Sequence, residues 1–243
     1  MKAAITLAIL LLPLSCRSGE ALAQKTSSPE SIAKALRTGA PAARTTIARR
    51  LGISGPSDPD WANCVGDLQI SLDHPHLEQG MDTSVLRLEC GYGLDLVLFG
   101  REPGAAWKEL DTISLYDAYN NAKLEYQSLI RPGVQELVVQ NAATASGTLY
   151  QAYFLVFRVL GGRFMTALAV LETAMEPHLG GTPRDEKSTI TIEPATKSET
   201  GEITQVAHLM IGSRTFLVRS SYSWSGYLHA FAKDETDRVS QLK

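Results

Sequence analysis

The sequence predicts a mainly β protein, an antiparallel sandwich or meander of hairpins with a short N-terminal helical segment. Three observations carry this expectation. From residue 58 onward, short runs of β-branched and apolar residues recur, each bounded by Gly, Pro, Asn or Asp. No long helical period separates these runs, so successive strands lack crossover helices and should pair antiparallel. The longest apolar stretch beyond the N-terminus, Leu149 to Glu172, is interrupted at its middle by Gly161-Gly162. A Gly-Gly pair supplies the positive φ angles of a type I′ hairpin turn. Ahead of it, Tyr153, Leu155, Phe157 and Val159 share one face, and Phe154, Val156 and Leu160 share the other. Both faces are apolar, which marks a central strand covered on both sides. The run MTALAVLETAM is also rich in helix formers, so a helix is the competing reading there. Arg158, Gly161, Gly162 and Arg163 in mid-segment argue against a membrane span.

A chain of 243 residues that is 44% hydrophobic can bury a sizeable core in one large domain or two small ones. Its net charge of -3, with no run of Lys or Arg, offers no track for a phosphate backbone, so no nucleic-acid partner is expected. Five His and three Cys leave little material for a metal site, and no metal or other cofactor is expected.

In chain order, residues 1–23 read as a signal peptide. Lys2 gives the positive start, Ala3 to Leu14 the apolar stretch, and Ala21-Leu22-Ala23 the small-x-small cleavage site before Gln24. The expected location is therefore outside the cytoplasm, periplasmic or secreted, with no membrane span in the mature chain. The five residues Leu12-Pro13-Leu14-Ser15-Cys16 resemble a bacterial lipobox. That resemblance implies lipidation of Cys16 and a lipid-anchored form as the alternative.

Residues 24–57 read as a helical segment and linker. Ser28 is placed to cap a helix that begins at Pro29, and Ile32, Ala33 and Leu36 give it an apolar stripe. A second helix runs from about Pro41 to Leu51 and is closed by Gly52. The run Thr45 to Ser54 resembles the middle of a DNA-binding helix-turn-helix, but Gly55-Pro56 breaks the chain where a recognition helix should follow. The expected arrangement is an amphipathic helix pair packed on the main domain.

Residues 58–243 form the β-rich domain. Strands are expected near 67–72, 84–90, 94–99, 109–115, 123–130, 134–140, 149–160, 163–172, 188–193, 203–211, 214–220 and 226–232. Stretches 177–183 and 194–201 read as exposed loops, and the charged tail from Lys233 as a fraying end.

The candidate chemistry is sparse. Cys64 and Cys90 are the two cysteines beyond the signal peptide, and in an oxidising compartment they read as a disulfide. His74-Pro75-His76, beside Asp73 and Glu78, brings two imidazoles together, but Pro75 favours a polar loop over a metal site. His208 and His229 fall in strand patterns and read as structural histidines. Residues 220–226 contain Ser221, Ser223 and Ser225 but lack the first Gly of a nucleophile elbow. Tyr222, Trp224 and Tyr227 form an aromatic cluster in a Ser/Gly-rich turn, suited to stacking on a ligand; the alternative is that they cap the core. A second cluster is Tyr116, Tyr119, Asn120 and Asn121. The expected function is non-catalytic binding of an envelope component, glycan or protein. The alternative is a hydrolase acting on an envelope or environmental polymer, whose carboxylates would carry no local motif.

Overall fold

A computed structural model of the chain describes residues 28–53, 68–90, 93–116, 122–146, 149–176, 184–234 and 238–242. Two helices precede thirteen strands. The helices are α1 (Pro29–Thr38) and α2 (Pro41–Arg50). The first strands are β1 (Gln69–Asp73), β2 (Asp82–Cys90), β3 (Gly93–Arg101) and β4 (Lys108–Tyr116). Next come β5 (Lys123–Arg131), β6 (Val134–Ser146), β7 (Leu149–Leu160), β8 (Arg163–Glu176) and β9 (Arg184–Glu193). The last are β10 (Glu202–Ile211), β11 (Arg214–Ser225), β12 (Ala230–Lys233) and β13 (Arg238–Leu242). The fold is the expected antiparallel β meander with a helical N-terminal side.

The strands form two sheets. One has four strands in the order β1-β2-β3-β4; the other has nine, in the order β12-β11-β10-β9-β8-β7-β6-β5, with β13 also pairing β11. On one face of the small sheet, Leu86, Leu88, Val97 and Phe99 pack under Ile32, Leu36, Ala48 and Leu51 of the helices. Ser28 caps α1 through its side chain, as its position before Pro29 predicts. On the other face, Leu94, Leu96 and Leu98 meet Leu137, Val139, Phe157 and Val159 of the large sheet. A third core lies inside the large sheet, where Val138, Phe154 and Val156 face Ile203, Tyr222 and Phe231. β7 thus buries both its faces, as its doubly apolar pattern requires.

The large sheet folds over because its pairing is irregular. Register shifts interrupt β5–β6 between Gln127 and Arg131, β6–β7 between Val139 and Ala142, and β7–β8 at two places. Such bulges raise the local twist and leave backbone donors unpaired. Two glutamates answer those donors. Glu136 Oε2 accepts from the N–H groups of Leu129 and Ile130, at 2.7 and 3.2 Å. Glu172 Oε2 accepts from the N–H of Asn141, a residue with φ of 58°. β8 then pairs with β9 over only Thr173–Glu176 and Arg184–Lys187. Beyond that short pairing, Gln205 Nε2 donates to the Leu171 carbonyl and to Ser188 Oγ, and Tyr222 donates to Gln205 Oε1. The roll ends where the N–H groups of Ala195 and Gly201 donate to the carbonyls of Ser128 and Leu129 on β5. A Cβ on Gly201 would lie 2.4 Å from the Glu193 carbonyl oxygen, so only glycine allows this approach.

The Gly161-Gly162 turn has φ angles of 58° and 73°, the left-handed pair of a type I′ hairpin. It is anchored from outside the hairpin. Glu78, between β1 and β2, accepts from the Gly161 N–H through Oε1 at 2.9 Å and from the Gly162 N–H through Oε2 at 3.0 Å. Asp111 of β4 accepts from the Phe164 N–H at 2.8 Å.

Some expectations need correction. β11 runs through Ser225, so Tyr222 and Trp224 stand on a strand and not in a turn. The tail does not simply fray, because Arg238–Leu242 pairs with Thr215–Arg219 of β11. His229 lies in the β11–β12 turn with φ of 52°, and both it and His208 on β10 are exposed. The signal peptide with Cys16, and the stretches containing Cys64 and Tyr119-Asn120-Asn121, lie outside the described residues. No described helix is long and apolar enough to cross a membrane.

Candidate functional site

Two places gather chemistry-bearing side chains. The first is an open cleft of about 590 Å³ where the start of α1 meets β2 and β3, lined by Ser28, Glu30, His74, Asp82, Arg101 and Trp107. Its groups are paired with one another. Glu30 lies 3.9 Å from His74 Nε2, and His74 Nδ1 is hydrogen-bonded to Ser84 Oγ at 2.8 Å. Asp82 accepts from Arg101 at 2.9 Å, and the guanidinium lies 4.7 Å from the Trp107 ring centre. The hydrogen bond to Ser28 and one to its own backbone hold the Glu30 carboxyl below its ordinary range.

Glu30, His74 and Ser84 have the residue types of a nucleophilic triad, but their placement does not serve one. The Ser84 hydroxyl is fully buried at 0% exposure within β2, closed to any substrate. A general acid also needs a carboxyl whose pKa is raised toward neutrality. The Glu30 carboxyl moves the other way. Carboxyls raised by burial lie elsewhere: Glu109 on β4, and Asp95, Glu136 and Glu172. Asp95 is buried against the Ser114 hydroxyl, and Glu136 and Glu172 hold bulge amides, so these last three are structural. His76, whose own N–H donates to Gln135 Oε1, stays exposed on its loop. Among the described residues no group of three His, Cys, Asp or Glu side chains could hold a metal ion.

The second place is the end of the large sheet where β11 turns into β12. The three aromatic residues expected to form a platform separate here by depth. Tyr222 is 8% exposed, in the interior core, its hydroxyl donating to Gln205 at 3.0 Å. Trp224 is half-buried, edge-on to Phe231 with ring centres 5.5 Å apart. Tyr227 is 94% exposed in the turn that follows. The alternation of Tyr222 and Trp224 with serines is the period of a strand: it turns the two rings toward the interior of the roll.

Arg158 joins this place from β7. It follows Phe154 and Val156 on the strand face that looks into the roll, and its guanidinium lies 5.0 Å from the Trp224 ring centre. Reasoning from the sequence did not assign it a role. The signal was present, because a cation stood in a strand apolar on both faces. The cleft side chains Glu30, Arg101 and Trp107 were missed for a different reason: they are separated in the chain and meet only through the packing of α1 on the small sheet.

Comparison of the chain with protein-family models, with curated proteins and with solved structures gives no match.

Proposed function

We propose that this chain is an exported protein of the bacterial envelope that binds a partner without transforming it, through the β11–β12 end of the large sheet. Trp224 and Tyr227 are its contact residues, and Tyr222 is the buried post behind them. The carrying observation is the half-buried indole of Trp224. Phe231 and Arg158 brace it from within the fold, so its ring is presented at the rim with little freedom left to lose. Rigid aromatic rings give large contact area at low entropic cost, which makes them effective anchors. A sugar ring stacks well on such a surface, and an envelope glycan is the partner we favour over a protein.

Export rests on the pattern of residues 1–23, with Cys16 as the alternative mature N-terminus. The disulfide-bonded state of Cys90 supports its pairing with Cys64 in an oxidising compartment.

Binding of an envelope polysaccharide fraction, followed by calorimetry with the native protein and Trp224→Ala, tests the main reading. Loss of binding by Trp224→Ala, at a melting temperature within a few degrees of the native one, supports it. Unchanged binding refutes the site. A melting temperature lowered as far as a full core truncation would lower it, equivalent to about 3–5 kcal/mol, makes Trp224 a core cap and refutes the site equally.

A further inference from the structure

Among the described residues no carboxylate pairs with Arg158. Its Nε is buried and has no hydrogen-bond partner. Its guanidinium lies over the Trp224 ring. Glu136 is near enough to feel the charge, yet its Oε2 is committed to the Leu129 and Ile130 amides. Native proteins rarely leave a buried guanidinium donor empty, because an unmade bond to a charged group is costly. An exposed lysine would need no account. A half-buried arginine on the interior face of a central strand does.

The surroundings say what kind of group completes it. Met165 stands opposite Arg158 on β8 and is exposed, so the site opens at the rim of the roll. Trp224 lies beside the guanidinium, with Ser225 and the exposed Tyr227 following. A guanidinium presents a planar fork of donors that matches a carboxylate or phosphate. An aromatic ring at its side suits the apolar face of a sugar. We propose that Arg158 receives an acidic group of the ligand while Trp224 stacks on the ring that carries it, so the ligand is an acidic saccharide. This rests on the binding surface proposed above and adds the charge of its ligand.

The test uses the full mature chain with two forms of one polymer, oligogalacturonate and its methyl ester, and with phosphatidylglycerol vesicles. The acid form should bind, more weakly as salt rises, and the ester should bind at least tenfold less well. Arg158→Gln should weaken binding of the acid about 10- to 100-fold, the loss of one or two charged hydrogen bonds, and leave the ester unaffected. Arg158→Lys should recover only part, because an ammonium lacks the planar fork. The free protein gives an independent readout. An arginine kept for a ligand leaves thermal stability unchanged or higher when replaced by Gln, whereas one kept for the fold leaves it lower. Equal binding of acid and ester, with Trp224→Ala defective for both, overturns the acidic ligand and leaves the binding surface standing. Binding of neither polymer overturns both. Binding of the vesicles in preference to the polymer overturns the saccharide, since the acid would then belong to a lipid headgroup.

Discussion

Replacing Glu78 by Ala isolates the contact that ties the β7–β8 hairpin to the connection between β1 and β2. One carboxylate holds two adjacent amides, those of Gly161 and Gly162, through its two oxygens. A hydrogen bond to a charged group contributes roughly 1.5–3 kcal/mol when buried. Glu78 is half-exposed and water can reach the freed Gly161 amide, so each bond falls below that range to about 1 kcal/mol and the pair to about 2 kcal/mol. For a chain of this size, that lowers the melting temperature by about 4–8 °C. Glu78→Gln keeps a single acceptor oxygen and should lose about half as much. Thermal unfolding followed by circular dichroism gives the first number, and hydrogen exchange at the two glycine amides gives the second. Both amides should exchange faster in Glu78→Ala while those in mid-β7 stay protected. A melting temperature within 1 °C of the native value, or unchanged exchange at both glycines, would show that the turn is held by its own geometry.

Burial raises the carboxyls of Asp95, Glu136 and Glu172, so these groups favour the folded state when protonated. Their contribution is fully present below the ordinary carboxyl value, 4.5 for the two glutamates, and is lost as pH rises through the raised folded values. Urea midpoints measured from pH 4 upward should therefore fall less steeply in Glu136→Gln than in the native protein; parallel curves would deny Glu136 this role. Leu96→Ala empties a fully buried site between the two sheets and should cost about 2–5 kcal/mol; a loss below 1 kcal/mol in chemical denaturation would mean that the layers do not share that core. Denatured, unreduced protein that begins at Gln24 should show no free thiol if Cys90 pairs with Cys64. Two reactive thiols would rule the bridge out.

Strands were legible where side chains alternate or run apolar between turn residues. β7 begins and ends where its pattern does, at Leu149 and Leu160. The Gly-Gly turn was legible from its chemistry alone, and so was the capped start of α1. Serine-rich composition hid the end of β11, although Tyr222 and Trp224 kept the two-residue period. β13 gave no hydrophobic signal because every one of its residues is exposed; backbone pairing with β11 holds it. The bulges were not legible. They depend on Glu136 and Glu172, which in sequence look like surface charges on strands. The cleft was beyond local reasoning, since Glu30, His74 and Arg101 come from three separate elements.

The order of strands in the sheets follows the order of the chain, with β13 returning to β11 as the one departure. Apart from β1 and β5, which begin the two sheets, every other strand finds a partner in the strand made just before it. Assembly can then proceed as the chain emerges, one hairpin closing upon the last, with little loop entropy to overcome at each step. No early strand must wait, edge open, for a partner hundreds of residues away, so the interval in which unpaired edges could recruit a second molecule is short.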